Sequence, residues 1–224
     1  MEEPEHMGDE HTHGHHHDHH DASSPEIRVE ALEDLLVAKG LADPERIDAT
    51  IRRFEHDIGP MVGAQLVAQA WTDSGLRQRL LADADAVVAE MGLRGPEIEH
   101  IEVKANAPRI HNVVVCTLCS CYPWALLGLP PNWYKSPEYR ARVVREPRSV
   151  LAEMGLELEP DTEVRIWDSS SETRFLVLPE RPAGTDDWPI EQLAGLVTRD
   201  SMIGVARAAD PQRVARARNS VTRS

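Results

Sequence analysis

Three cysteines lie in one short segment, Val115-Cys116-Thr117-Leu118-Cys119-Ser120-Cys121, and the chain has no others. Thiols this close cannot staple distant loops as a disulfide framework does. A structural zinc site takes four nitrogen or sulfur ligands, usually as two separated pairs. Here there are three thiols, and the nearest histidine, His111, is separated from them by an apolar strand-like run. Iron–sulfur clusters also use four thiolates as a rule. A thioredoxin-like pair would need Cys116 and Cys119 at a helix N-terminus and would leave Cys121 unused. One arrangement engages every donor. Cys119 and Cys121 flank the backbone amides of Ser120 and Cys121, so with both amides deprotonated the tripeptide closes a square plane of two nitrogens and two sulfurs. Cys116 then supplies an axial thiolate, and a sixth position stays open. An amide N–H is a very weak acid, so this plane demands a strongly Lewis-acidic trivalent ion, low-spin Co(III) or Fe(III), and disfavours Zn(II).

The rest of the composition narrows the setting. A chain of 224 residues can bury a sizeable core in one or two domains. Of the net charge of −14, eight units come from residues 1–26, which hold eight acids and no Lys or Arg, leaving −6 elsewhere. No basic face for nucleic acid is present. No apolar run reaches the roughly 20 residues that span a bilayer, and no basic segment leads into an apolar one as in a secretory signal. The expected compartment is the cytoplasm, where thiols stay reduced. Residues 1–26 also carry eight of the eleven histidines (His6, His11, His13, His15, His16, His17, His19 and His20), interleaved with acids and Gly. That composition predicts a disordered tail able to hold divalent metals loosely.

Hydrophobic periodicity predicts α+β organisation. Leu32, Leu35, Leu36 and Leu41 mark a helix ending near Gly40, and Pro44 opens another through Ile47, Ile51, Phe54 and Ile58 that Gly59-Pro60 closes. A third helix spans Met61 to Trp71. A fourth, capped by Asp73 or Ser74, runs through Leu76, Leu80, Val87 and Val88 to Gly92. Helices this short need a surface to pack on, so residues 27–95 are read as an arm packing on a partner. After Gly95-Pro96 the period changes to two, with Ile101 and Val103 facing one side. Val113–Val115 runs straight into the cysteines. Tyr139–Met154 is helical with a break at Pro147, strands return at Glu163–Asp168 and Thr173–Leu178, and Ile190–Val197 is the last helix. Residues 96–206 thus form a mixed, layered α/β metal-binding domain, and the tail from 207, with five Arg against one Asp, frays.

Several longer runs carry a resemblance. They are Val115–Trp124 (VCTLCSCYPW), Leu127–Tyr134 (LGLPPNWY), Ser136-Pro137 to Arg142–Arg145 and Val164–Ser169 (VRIWDS). Others are Pro179–Thr185 (PERPAGT), Thr198–Val205 (TRDSMIGV) and Ala70–Asp73. Through most of 60–206 the chain resembles the nitrile hydratase α family. The resemblance implies a cobalt-type enzyme, since Thr117 stands where iron enzymes carry Ser. It implies one Co(III) held by Cys116, Cys119, Ser120 and Cys121. Cys119 and Cys121 are then oxidised to sulfinic and sulfenic acids, and Cys116 remains a thiolate. It further implies a β-type partner, one chain or two, that donates arginines to the oxidised sulfurs and is clasped by the helical arm. A higher heteromer such as α2β2, a metallochaperone or activator protein and a small nitrile substrate follow in the same way. The reaction would hydrate the nitrile to its amide, with Cys121 and Cys119 at the reacting centre.

Individual residues carry narrower expectations. Tyr122 is expected to orient the loop, Trp124 and Trp133 to wall the pocket or pack the core, and Asp168 to hydrogen-bond near the site or cap a turn. Thr117 belongs to the same surroundings. Arg174 and Arg181 are expected at an interface or in ion pairs. The chain departs from the family where members place Gln in a Gly-x-Gln-Gly-Glu stretch: here it reads Gly95-Pro96-Glu97-Ile98-Glu99. A carboxylate at Glu97 could serve as a general base and would favour a specialised nitrile. Two alternatives stand beside this reading. The γ subunit of thiocyanate hydrolase carries the same cluster and a similar acidic His-rich start, but tends to place a basic residue at the Trp124 position. A cobalt or nickel carrier would use the His-rich tail and labile thiols, and would leave the long runs after Tyr122 without a role.

Overall fold

The structure, a computed structural model, describes residues 25–49, 59–93, 100–212 and 214. Residues 1–24, much of the helix predicted from Pro44, Glu97 and most of the Arg-rich tail lie outside these. The chain divides into two units, 1–50 and 51–224. In the first, helix α1 spans Pro25–Ala38. Gly40, at φ +66°, turns the chain out of it, and Leu41 N closes the turn on Leu36 O at 2.9 Å. Helical backbone resumes over 44–49. Leu32, Leu35 and Leu41 stay exposed.

The larger unit begins with α2 (Pro60–Thr72), α3 (Ser74–Ala82) and α4 (Ala84–Glu90). The single helix predicted from Asp73 to Gly92 is therefore two. Asp73 caps the first by accepting from Gly75 N and Leu76 N. Asp83 leaves the helical region at φ −151° and accepts from Ala86 N, so its carboxylate starts a new helix inside the expected one. These helices share one hydrophobic cluster with the strands: Leu66, Val67, Leu80, Val87 and Val88 are buried together with Val103, Val113 and Leu176. One face of 60–93, part of the segment read from sequence as an arm, thus contributes to the core of the larger unit.

Strands β1 (His100–Ala105), β2 (Ile110–Val115), β3 (Glu163–Asp168) and β4 (Thr173–Leu178) form two parallel pairs, β1 with β4 and β2 with β3. Between β2 and β3 come single turns α5 (Trp124–Leu127) and α6 (Asn132–Lys135), then α7 (Pro137–Arg145) and α8 (Pro147–Glu153). The break at Pro147 matches expectation, because proline cannot continue the preceding turn. The last segment differs from it: α9 (Ile190–Ala194) stops short of Val197 and α10 (Arg199–Ile203) follows. Thr198 starts α10 through a reciprocal capping box with Ser201.

Buried polar residues join the layers. Asn112 Nδ2 donates to Ala105 O at 2.8 Å and to Asn106 Oδ1 at 3.0 Å, while its Oδ1 accepts from Trp167 Nε1 at 2.8 Å. His111 Nε2–H donates to Gly204 O at 2.7 Å. Gly204 sits at φ +91°, and a side chain there would run into the Asn112 carbonyl. Arg181, expected in an ion pair or interface, instead donates to the carbonyls of Trp71, Thr185 and Asp186, and Trp71 Nε1 reaches Pro179 O at 2.8 Å. No helix among the described residues is long and apolar enough to cross a membrane.

Two outcomes test this packing. A Cβ on Gly63 would lie 2.8 Å from both Leu126 O and Met202 Sδ, so Gly63→Val should lower stability by about 1–3 kcal/mol in denaturant unfolding. Burial pushes the His111 imidazole below its ordinary value of 6.5. The unfolded chain then binds the proton first, so the contribution of His111 is complete above pH 6.5 and is lost as pH falls below it. Unfolding midpoints should therefore drop more steeply below pH 6.5 in the wild type than in His111→Gln.

Candidate metal centre

Strands β2 and β3 run in parallel and end together, with Val115 opposite Asp168. Ser169 N extends the ladder to Val115 O at 2.7 Å. The cysteine loop leaves from this end. Asp168 grips its first residue twice, accepting from Thr117 N at 2.9 Å and Thr117 Oγ1 at 2.6 Å. The chain can then fold back on itself, with Leu118 at the tip 89 % exposed.

Within the loop the three Sγ atoms lie within 4.8 Å of one another. Cys119 Sγ is 3.2 Å from that of Cys116 and 3.1 Å from that of Cys121. Cys119 N also approaches Cys116 Sγ at 3.2 Å. Cys116 and Cys121 are buried and Cys119 is exposed. The neighbouring sulfurs of Cys121 and Cys116, together with the amides of Cys121 and Ser120, stabilise the Cys119 thiolate and pull its pKa down to about 7. Burial, and the adjacent sulfurs, push Cys121 up to about 12.

The walls hold this loop by its carbonyls. Tyr134 Oη donates to Cys121 O at 2.9 Å, Arg140 Nη1 to Cys119 O at 3.2 Å, and Tyr139 Oη to Val114 O at 2.7 Å. Tyr122, Trp133, Tyr134 and Tyr139 pack edge to face or tilted, at centroid separations of 4.9–6.0 Å. Burial pushes the phenols of Tyr122, Tyr134 and Tyr139 above their ordinary value of 10. Tyr122 is wholly buried, and its hydroxyl has no hydrogen-bond partner among the described residues. Trp124 opens α5 and packs half-buried against the core. Arg174, on β4, lies near enough to Cys121 to favour its thiolate. Beside the loop an open groove of about 370 Å³ is lined by Thr117, Pro137, Arg140, Ala141, Val144 and Arg145. A second cavity of about 290 Å³, between His111, Arg181 and Arg207, includes no loop residue.

Of the residues singled out from sequence, Cys116, Thr117, Cys119, Ser120, Cys121 and Asp168 are brought together, with Tyr122 immediately behind. Tyr134, Tyr139 and Arg140 were not singled out. Their only sequence signal was polar tips on bulky side chains in a Pro-punctuated stretch.

The donor set fits a trivalent metal better than zinc or an iron–sulfur cluster. Three soft sulfurs lie within 4.8 Å of one another, the backbone amides of Ser120 and Cys121 fall between two of them along the chain, and no other group of three or more potential ligands occurs among the described residues. The fold and site define a mononuclear, thiol-based metalloprotein subunit. Residues 23–206 match the family described as nitrile hydratase, alpha chain. The α subunit of the low-molecular-weight cobalt-containing nitrile hydratase of Rhodococcus rhodochrous is 55 % identical over 186 residues, covering 83 % of this chain and 90 % of that one. The γ subunit of thiocyanate hydrolase from Thiobacillus thioparus is 42 % identical, over 83 % of this chain and 81 % of its own. A double mutant of the Fe-type nitrile hydratase from Comamonas testosteroni Ni1 superposes with a TM-score of 0.79 at 43 % identity, covering 83 % of this chain and 91 % of the other. The chain belongs to the nitrile hydratase α-chain family.

If Asp168 sets the loop, its removal should free the inner thiols. In the metal-free reduced chain an alkylating reagent, read by mass spectrometry, should label one thiol fast and two slowly, and Asp168→Ala should make Cys116 a second fast thiol. Unchanged labelling in Asp168→Ala would mean that the Tyr134 and Arg140 contacts suffice to hold the loop.

Proposed function

We propose that this chain is the metal-carrying α subunit of a cobalt nitrile hydratase, which adds water to a nitrile to give the amide and works only with a β-type partner. The observation that carries the reading is the clustering of three thiols within 4.8 Å of one another on one loop. Membership of the family and the 55 % identity to a cobalt-containing relative support it. Cys116, Cys119 and Cys121 with the Ser120 and Cys121 nitrogens are the proposed ligands, and Co(III) is favoured over Fe(III).

Bound there, the trivalent ion supplies Lewis acidity that draws electrons from a nitrile nitrogen and makes its carbon electrophilic. The chain's own part is positioning. Asp168, Tyr134 and Arg140 keep the loop folded, with Cys119 exposed and Cys116 and Cys121 buried. Cys121, oxidised to its sulfenic form, offers an oxygen that attacks the carbon or takes a proton from the water that does. Overall the carbon gains the oxygen of one water, and the nitrogen gains both its protons. Glu97 lies outside the described residues and is proposed as a general base near this oxygen. Thr117 and Trp124 line the approach.

The partner is proposed to cover the exposed loop tip and the exposed leucines of α1, with an α2β2 assembly, an activator protein that delivers cobalt and a cytoplasmic location. Thiocyanate hydrolysis is the second reading, favoured by the 42 % match and weakened by Trp124, where that enzyme tends to place a basic residue.

Native mass spectrometry of the complex from cobalt-supplied cells tests the reading. The α chain should carry one cobalt and the mass of three added oxygens, bound to its β-type partner. Turnover of a nitrile with thiocyanate left intact separates the two activities. Unmodified thiols with metal held on residues 1–26 would favour a carrier instead.

A further inference from the structure

The peptide unit joining Cys119 to Ser120 has two ends with different surroundings. Its nitrogen belongs to Ser120, which stands between Cys119 and Cys121, whose sulfurs lie 3.1 Å apart. Its carbonyl oxygen, on the opposite side of the trans peptide from that nitrogen's N–H, accepts from Arg140 Nη1 at 3.2 Å. Arg140 projects from α7 along the groove beside Thr117 and Pro137. That bond is the only one its guanidinium makes among the described residues, and its Nε is buried without a partner. Arg142, two residues on, is by contrast taken up by Glu146 and Glu153. A guanidinium half-withdrawn from water, with no carboxylate, is therefore committed to one loop carbonyl.

We propose that Arg140 is a positioning residue for the metal: by holding the Cys119 carbonyl it fixes the plane of the Cys119–Ser120 peptide and keeps the Ser120 nitrogen facing the sulfurs. A peptide is planar and stiff, so a grip on the oxygen sets the direction of the nitrogen. A peptide nitrogen that carries a metal also shares negative charge with its own oxygen through the same resonance, and a guanidinium there is a charge-assisted donor. Tyr134 and Asp168 grip other peptide units of the loop. Among the described contacts, Arg140 alone acts on this one.

The inference rests on the metal-centre reading above, and the experiment separates the two. The full chain, coexpressed with its β-type partner in cobalt-supplied cells, is compared with Arg140→Met and Arg140→Lys for cobalt per α chain, sulfur-to-cobalt charge-transfer absorption and melting temperature. Arg140→Met keeps the apolar shaft and should melt near the wild type. Its cobalt content should fall about tenfold, the weight of one lost charged hydrogen bond, and its residual band should shift. Arg140→Lys restores a cationic donor and should recover most of both. Wild-type cobalt with an unshifted band in Arg140→Met overturns the proposal. So does an equal loss in both variants accompanied by a fall in melting temperature, which would mark a packing role. A wild-type complex without cobalt would instead overturn the metal-centre reading itself.

Discussion

The pairing of Val115 with Asp168 at the shared end of two parallel strands is the contact on which the site depends. In a parallel pair both chains leave in the same direction. The residue ending β3 therefore lies beside the first residues of the loop that follows β2, although 51 positions separate Asp168 from Thr117. The carboxylate uses that adjacency to satisfy a backbone amide and a hydroxyl that would otherwise face water. A slip of one residue would turn Asp168 to the other face of its strand and leave the loop without its first fixed point.

What holds the register is buried and polar. Asn112 is saturated by Ala105, Asn106 and Trp167, so β2 is tied to the end of β1 on one side and to β3 on the other. Burying such a group costs free energy unless every partner is met, which penalises alternative registers. Tyr139 adds a bond to Val114 O, and its ring neighbour Tyr134 one to Cys121 O. The loop is thus held from beneath by phenol hydroxyls and from the side by a carboxylate and a guanidinium. Three thiols stay close without a disulfide, two buried and one exposed.

Elements whose signal was local were legible. β3 alternates in sequence and β4 ends in a continuous apolar run, both are bounded by polar turns, and their limits match expectation at Glu163–Asp168 and Thr173–Leu178. The stop at Pro147 follows from ring geometry. Asp83 and Thr198 were harder, because each sits in a stretch with helical periodicity and acts through a side-chain bond to a later amide. Periodicity reports which face is apolar and says little about where a capping oxygen interrupts the backbone. For the same reason residues 60–93 read as an arm: an amphipathic helix shows that it has a partner surface, and here that surface is the chain's own strands and α5.

The sequence by itself determined the chemistry of the donors. Cys-x-x-Cys-x-Cys with two intervening amides is a covalent fact of the chain, fixed by bond lengths before any folding. It also determined the class of family, through long runs no short motif could imitate. Only the tertiary structure decided what holds those donors in place. Asp168, Tyr134 and Arg140 come from a later strand and from helices on the far side of a proline-rich turn, and their reach to Thr117, Cys121 and Cys119 exists only once β2 has paired with β3 and the aromatic cluster has packed. Hydrogen-bond partners distant in sequence are set by register and packing, which no local pattern encodes.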